Sequence, residues 1–133
     1  MRKVVFVCVH NSGRSQMAEA FTKRLGNGKL TAESAGTEPV DDLNPIVVQV
    51  MNEIGYDMSG HYPKILTLDM VGSADKIITM GCGVDSGVCP ASFIPTEDWG
   101  LEDPKDKSIE KVREIRDDIK KRVITLIKEY ENV

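Results

Sequence analysis

The first cysteine of the chain is followed, after five residues, by an arginine, and this spacing can build a site for an anion. The apolar run Val4-Val5-Phe6-Val7 precedes the motif, and a helical pattern follows it. This order places a thiol at the end of a strand and a turn of backbone N–H groups at a helix N-terminus, where tetrahedral oxyanions bind. The same field lowers the pKa of a thiol and makes it a nucleophile. The motif reads Cys8-Val9-His10-Asn11-Ser12-Gly13-Arg14-Ser15.

Backbone and side-chain donors in this loop have separate uses. The guanidinium of Arg14 is a planar fork that can take two oxygens of one anion. Gly13 lets the backbone turn where a side chain would intrude. Successive N–H groups of the loop can point inward at the three equatorial oxygens of the anion. The candidate oxyanion-binding residues are Val9, His10, Asn11, Ser12, Gly13 and Ser15.

Polar side chains of the loop can also act on the sulfur. Ser12 and Ser15 can hydrogen-bond the sulfur of Cys8 and stabilise its thiolate. Asn11 tolerates left-handed backbone geometry, so we expect it to maintain the loop shape from behind. Spacing alone also fits a buried thiol at a strand end, followed by an arginine that merely begins a helix.

Two further cysteines flank a glycine-containing segment of six residues. Cys82 and Cys89 do not have the spacing of a zinc site, in which two to four residues usually separate the ligands. His10 and His61 are the only histidines, so a closed tetrahedral site is hard to assemble, and we expect no metal ion and no cofactor. A redox pair and two idle thiols both remain open on the residues alone.

Length and charge narrow the class of protein. The 133 residues predict a single domain, 1–133, and no apolar run approaches the roughly 20 residues that span a bilayer. Three cysteines without a signal peptide are typical of the reducing cytoplasm. The net charge of −4 argues against nucleic acid and anionic membranes as partners. An anionic substrate must therefore be attracted by a local site.

Strand-like and helix-like segments alternate along the chain, which predicts an α/β fold with a parallel sheet. The second strand is expected to end where Ala35-Gly36-Thr37 interrupts its pattern. The predicted strands are 3–7, 29–34, 76–80 and 93–99. The predicted helices are 15–25, one that starts at Asn44-Pro45 with proline at the first helical position and stops at Gly55, one that Thr67 caps and that ends at Val71, and 108–130.

The order of several motifs resembles the low-molecular-weight protein tyrosine phosphatase family over nearly the whole chain. They are the cysteine loop, Gln16-Met17-Ala18-Glu19-Ala20, Ser34-Ala35-Gly36 and Asp103-Pro104. Together with Cys82, Cys89 and Trp99-Gly100, they are similar to the thioredoxin-coupled arsenate reductases of that superfamily. The resemblance implies a four-stranded parallel sheet flanked by helices on both faces, with the anion loop at the carboxyl end of the first strand.

The resemblance also implies a reaction. Cys8 attacks arsenate, Arg14 holds the anion, and Asp103 protonates the departing oxygen. Reduction of arsenate to arsenite takes two electrons, which two thiols supply on becoming a disulfide. Cys82 and Cys89 would then carry the disulfide to a place where thioredoxin or a similar dithiol reaches it. The expected protein is a monomer, with phosphate or sulfate as competing oxyanions.

Two other functions stay open at this point. A protein tyrosine phosphatase needs only Cys8, Arg14 and Asp103, although its pocket needs aromatic walls and aromatic residues are only 5% of this chain. A non-catalytic oxyanion or redox sensor would form a disulfide without turnover.

The chain departs from the resemblance at the position of one ligand of a cation site. Some arsenate reductases of this type hold a potassium ion behind the loop, and Asn11, Glu19 and Ser34 match the residues that would contribute. Lys64 stands where those enzymes have an acidic ligand. We therefore expect the ammonium group of Lys64 to pair with Glu19 in place of the ion.

Overall fold

The computed structural model describes residues 1–81 and 96–131, and within them four parallel strands form one sheet in the order β2-β1-β3-β4. The strands are β1 (Arg2–Cys8), β2 (Leu30–Gly36), β3 (Lys76–Thr79) and β4 (Thr96–Asp98). The helices are α1 (Arg14–Leu25), α2 (Pro45–Glu53), α3 (Leu68–Ser73) and α4 (Ile109–Glu131). The predicted α/β fold with its four-stranded parallel sheet is confirmed.

Alternation along β1 divides the core between the two faces of the sheet. Val4, Phe6 and Cys8 belong to the larger cluster, which also contains the buried apolar residues of α1, α2 and α4. Val5 and Val7 belong to a smaller cluster with Val71 of α3. Successive strand residues point to opposite faces, so helices cover both sides, as predicted.

The strand order creates a crevice at the carboxyl end of β1. From β1 the chain crosses to β2 on one side and later to β3 on the other, and ligands of open parallel sheets bind where the order reverses in this way. Cys8 is the last residue of β1 and pairs with Gly36. The cysteine loop therefore begins at this crevice.

The predicted end of the second strand was wrong. The strand continues two residues further, and Gly36 is still paired with Cys8. A Cβ atom at Gly36 would lie 2.5 Å from the carbonyl oxygen of Val9. This glycine allows two backbones to approach closely, and it does not break the strand.

The other predicted boundaries agree to within two residues wherever the structure describes them. Helix α1 begins one residue earlier, at Arg14, and α3 continues to Ser73. The first part of the last predicted strand, 93–95, lies outside the described residues. Across the part of the chain that is described, no helix has the length and apolar composition needed to cross a membrane.

Helix α4 is joined to α2 through a buried arginine. The Nη1 of Arg116 donates to the carbonyl of Val50 at 2.9 Å and lies 3.2 Å from Glu53 Oε1. Helix α2 in turn borders the cysteine loop, because the N–H of Asn44 donates to the carbonyl of Ser12 at 2.9 Å. The long C-terminal helix thus positions the loop indirectly.

Candidate active site

The cysteine loop joins the end of β1 to the start of α1. Cys8 is buried, and Gly13 is the N-cap of the helix. No side chain caps this end of α1, and its first turn contains no acidic residue. The first N–H groups of a helix have no partner within the helix. Those of α1 are therefore oriented to bind an anion beside the sulfur.

Two donors face the sulfur of Cys8. The N–H of Asn11 donates to the sulfur at 3.1 Å, and the hydroxyl of Ser15 lies 2.9 Å from it. The Nδ2 of Asn11 donates to Ser15 Oγ at 2.8 Å, which leaves the hydroxyl proton of Ser15 free for the sulfur. A thiolate can only accept hydrogen bonds, so this arrangement favours the charged form. The predicted contact of Ser15 with Cys8 is present.

Asn11 has the left-handed backbone that its residue type predicted. Its φ is 54°, and its side chain is fully buried. Its Oδ1 accepts a hydrogen bond from the N–H of Lys64 at 2.9 Å. The shape of the loop is thus supported from the side away from the anion site, as expected.

Arg14 connects the loop to the two segments that face it. Its Nη1 donates to the carbonyls of Met80 and Leu101, at 3.1 and 2.8 Å, and only 6% of the residue is exposed. Its Nη2 lies 3.8 Å from Oδ2 of Asp103, whose side chain is half exposed. The structure therefore brings Cys8, Arg14 and Asp103 to one end of the sheet.

Close packing between Gly13 and Pro104 positions the segment that carries Asp103. A Cβ atom at Gly13 would lie 2.9 Å from Cγ of Pro104 and 3.4 Å from Val47. The φ of Gly13 is −144°, so the space, and not a left-handed backbone, requires glycine. The carboxylate of Asp103 also accepts the N–H of Lys105 at 3.0 Å, which orients it at the entrance of the site.

A groove of about 490 Å³ opens beside the loop. Ser12 and Asp103 lie at its polar side, and Val40, Leu43 and Ile46 contribute to its apolar side. The residues that line the groove in the described ranges include no Phe, Tyr or Trp. This matters for the choice between substrates, because the pocket of a phosphotyrosine phosphatase needs aromatic walls.

The carboxylate of Glu19 lies behind the loop and is already paired. Ser34 donates to it, Lys23 Nζ lies 2.8 Å from it, and Lys64 Nζ lies 3.6 Å from it. Burial would raise the pKa of Glu19, but the hydrogen bonds from Lys23 and Ser34 and the charge of Lys64 outweigh burial and lower it.

The predicted pairing of Lys64 with Glu19 is therefore present. With two ammonium groups on the carboxylate, these residues do not fit a potassium ion, because a further cation would be repelled. In the described ranges, no three His, Cys, Asp or Glu side chains gather into a group that could hold a metal ion.

The two histidines are a loop residue and a turn residue, and His61 also contacts Gln16. His10 Nδ1 lies 3.3 Å from the carbonyl of Glu38. His61 Nδ1 lies 3.2 Å from Oε1 of Gln16, a fully buried side chain directly behind the loop. Burial and the charges of Lys23 and Lys64 lower the pKa of His61 against the opposing effect of Glu19. In the sequence Gln16 stands out only as part of a motif, since nothing in its local pattern indicates a contact with the loop.

Cys82 and Cys89 lie outside the described residues, and their predicted roles stay predictions. The first described range ends at Gly81, directly before Cys82 in the sequence. The N–H of Gly81 donates to Oδ1 of Asp98 at 2.7 Å, and the carbonyl of Met80 accepts from Arg14. The residues that lead to Cys82 are thus anchored at the candidate site.

Comparisons with known proteins agree with this geometry. Residues 3–132 match the family described as low molecular weight phosphotyrosine protein phosphatase. A protein of Synechocystis named glutaredoxin arsenate reductase is 40% identical over 131 residues, which are 96% of this chain and 97% of that protein.

Two solved structures are also similar. One, described as an arsenate reductase in the phosphate binding state, has a TM-score of 0.88 and 40% identity and covers 98% of this chain and 99% of that chain. The other is a thioredoxin-dependent arsenate reductase of Corynebacterium glutamicum, with a TM-score of 0.81 and 35% identity. That match covers 98% of this chain and 62% of the other chain.

Proposed function

This chain belongs to the low molecular weight phosphotyrosine protein phosphatase family, and we propose that it is an arsenate reductase that works by a three-cysteine relay. The observation that carries the proposal is the buried sulfur of Cys8, which faces the N–H of Asn11 and the hydroxyl of Ser15 at the uncapped start of α1. Relatives named arsenate reductase that match over nearly the full chain support arsenic as the reacting centre.

In the first step the thiolate of Cys8 attacks the arsenic of arsenate. The loop N–H groups and Arg14 hold the remaining oxygens, which carry the negative charge. A sulfur–arsenic bond forms, one arsenic–oxygen bond breaks, and Asp103 gives its proton to the departing oxygen, which leaves as water. The oxidation state of arsenic does not change in this step.

In the second step the thiolate of Cys82 attacks the sulfur of Cys8. A disulfide forms, the sulfur–arsenic bond breaks, and its electron pair stays on arsenic, which leaves as arsenite. Cys89 then attacks Cys82, which moves the disulfide to Cys82–Cys89 and frees the thiolate of Cys8. Two thiols have lost the two electrons that arsenic has gained.

A dithiol protein then reduces the Cys82–Cys89 disulfide, and thioredoxin is the reductant that we propose. One relative is named for glutaredoxin and the other is called thioredoxin-dependent. A dithiol such as thioredoxin reduces a disulfide within the chain efficiently, because its second thiol resolves the mixed disulfide, whereas a monothiol such as glutathione can act directly on the thiol–arsenic adduct. The two cysteines beyond Cys8 therefore favour thioredoxin.

A phosphotyrosine phosphatase is the second candidate, because Cys8, Arg14 and Asp103 would suffice for it. The groove beside the loop argues against it as the main activity, since no Phe, Tyr or Trp lines the groove among the described residues. We expect hydrolysis of small aryl phosphates only as a side activity, and we expect phosphate and sulfate to compete with arsenate.

The test uses the unaltered protein and the variants Cys8→Ser, Cys82→Ser and Cys89→Ser. Arsenate-dependent NADPH oxidation is measured with thioredoxin and its reductase, and in parallel with glutaredoxin, glutathione and glutathione reductase. Cys8→Ser should lose both this activity and aryl phosphate hydrolysis. Cys82→Ser and Cys89→Ser should lose turnover with thioredoxin and keep aryl phosphate hydrolysis.

Four outcomes would contradict the proposal in different ways. Full turnover of Cys89→Ser with thioredoxin would eliminate the third thiol from the relay. Turnover of the unaltered protein with glutaredoxin alone would replace the reductant. Aryl phosphate hydrolysis without arsenate reduction would identify a phosphatase, and anion binding without either activity would identify a sensor.

A further inference from the structure

We propose that Gln16 is a positioning residue that sets the reactivity of Cys8 through Asn11, without touching the sulfur or the anion. The inference rests on the proposed function in that it takes Cys8 as the nucleophile. It adds to that function a residue from the buried side of α1, 0% exposed, to which no part of the reaction above assigns a role.

The carboxamide of Gln16 contacts Asn11 at two points. Its Nε2 donates to the side-chain Oδ1 of Asn11 at 3.0 Å and lies 3.2 Å from the backbone carbonyl of the same residue. The same nitrogen donates to the carbonyl of Tyr62 at 2.9 Å. Gln16 thus holds both the side chain and the main chain of Asn11, and it links them to the segment behind the loop.

The orientation of the Gln16 amide is determined by the carbonyls of Asn11 and Tyr62, which can only accept hydrogen bonds and therefore face Nε2. Oε1 of Gln16 can only accept a hydrogen bond, so the Nδ1 of His61, 3.2 Å away, carries the proton. With Oε1 used in this way, both protons of Nε2 are directed to the oxygens of Asn11 and Tyr62. No buried side-chain nitrogen or oxygen among the described residues lacks a partner, so the network is complete.

The contact of Gln16 with the side chain of Asn11 determines the direction of the hydroxyl proton of Ser15. Because Oδ1 of Asn11 accepts from Gln16 and from the N–H of Lys64, the Nδ2 end must face Ser15. Ser15 then accepts from Asn11 and donates to Cys8. Turning the amide of Asn11 over would place an acceptor against Ser15 and compete with the sulfur for its proton.

The contact of Gln16 with the main chain of Asn11 affects the backbone conformation of the loop. A non-glycine residue at φ 54° is in a sparsely populated region, so neighbouring groups must hold it there. The C=O and N–H of a trans peptide point in opposite directions. Holding the carbonyl of Asn11 toward Gln16 therefore turns the N–H of Ser12 away from Gln16 and toward the open side of the loop.

The two contacts predict changes in the thiolate and in anion binding when Gln16 loses its donor. The test compares Gln16→Met, which is apolar and similar in size, with Gln16→Glu, which replaces the donor by an acceptor. Both are made in a Cys82→Ser, Cys89→Ser background so that alkylation reports on Cys8 alone. The matched control is Thr22→Val, which removes a fully buried hydroxyl from the same helix, where it donates to Ala18 at 2.8 Å.

Two quantities are measured for each folded variant. The first is the midpoint of the Cys8 alkylation rate against pH, and the second is the concentration of inorganic phosphate that halves that rate. For Gln16→Met we expect the midpoint to rise by about half to one pH unit and the phosphate concentration to rise about threefold to tenfold. The N–H of Lys64 remains on Asn11 and limits the effect. Gln16→Glu should shift both quantities further, and Thr22→Val should lower only the melting temperature.

A folded Gln16→Met variant with both quantities unchanged would overturn the proposal and leave Gln16 as a core residue. If neither Gln16 variant folds, the unaltered protein decides. The side-chain amide resonances of Gln16 should then shift when phosphate binds and when Cys8 ionises. Resonances that do not change in either case would overturn the proposal. None of these measurements uses arsenate or a reductant, so a failure of arsenate reduction is distinguishable from a failure of this inference.

Discussion

Replacing Ser15 by alanine removes the side-chain donor nearest to the sulfur of Cys8. The hydroxyl of Ser15 lies 2.9 Å from the sulfur and is fully buried. The N–H of Asn11, 3.1 Å from the sulfur, would remain. The Nδ2 of Asn11 would also lose its acceptor, since it donates to Ser15 Oγ at 2.8 Å.

The size of the effect follows from these contacts. A hydrogen bond to a charged group contributes about 1.5–3 kcal/mol, and about 1.4 kcal/mol changes a pKa by one. We therefore expect the midpoint of Cys8 ionisation to rise by about one to two pH units in Ser15→Ala. The unpaired donor on Asn11 should lower the free energy of unfolding by about 1–3 kcal/mol as well.

The assay is alkylation of Cys8 by iodoacetamide against pH, in a chain whose Cys82 and Cys89 are serine. At a pH below both midpoints, the thiolate fraction falls about tenfold for each pH unit by which the midpoint rises, and intrinsic nucleophilicity increases about threefold with the higher basicity. Ser15→Ala should thus react about threefold to tenfold more slowly at low pH and faster than the parent at high pH, so the two curves should cross.

Ser34→Ala is the matched control for this experiment. It also removes a fully buried serine hydroxyl, but one that donates to Glu19 and not to Cys8. It should lower stability and leave the alkylation midpoint in place. Identical midpoints in Ser15→Ala and its parent would refute the assignment of the Ser15 proton to the sulfur.

Two further predictions concern the entrance and the rear of the site. In Gly13→Ala the new Cβ would lie 2.9 Å from Pro104, so the segment that carries Asp103 must shift. The kcat for aryl phosphate hydrolysis should therefore fall about tenfold, while the rate of Cys8 alkylation stays constant. An unchanged kcat would contradict this account. The pKa of Glu19 is lowered from 4.5 in the folded chain, so its ionised form stabilises the fold above pH 4.5, and this stabilisation is lost as pH falls through the folded pKa. In urea unfolding at pH 7, the free energy of unfolding of Glu19→Gln should therefore be about 1–3 kcal/mol lower than that of the parent. This difference should shrink below pH 4.5. A difference that does not depend on pH would show that ionised Glu19 is not the cause of the stabilisation.

The cysteine loop could be predicted from sequence because its parts are adjacent in the chain. Cys8, Asn11, Arg14 and Ser15 lie within eight residues, between a β-branched run and a helical pattern. Local geometry alone then places an anion site at the helix N-terminus. Asp103 was different, since it is one of 21 acidic residues and only the resemblance singled it out.

The error at Gly36 and the omission of Gln16 have the same origin. A glycine between Ala35 and Thr37 looks like a strand break, and a glutamine in a helix looks like a surface residue. Gly36 is instead required by the carbonyl of Val9, and Gln16 is buried by the segment around Tyr62. Both neighbours come from other segments, and local periodicity contains no information about them.

The sequence by itself determined the chemistry of the loop, because a thiol, a run of N–H groups and a guanidinium follow one another along the chain. It also determined the α/β class, because the hydrophobic period changes from strand to helix with each element. Only the tertiary structure decided what surrounds the loop: the carbonyls of Met80 and Leu101 on Arg14, Pro104 against Gly13, and the carbonyl of Tyr62 on Gln16. The physical reason is that short-range steric and hydrogen-bonding preferences act between neighbours in sequence, whereas these contacts depend on the order of strands in the sheet.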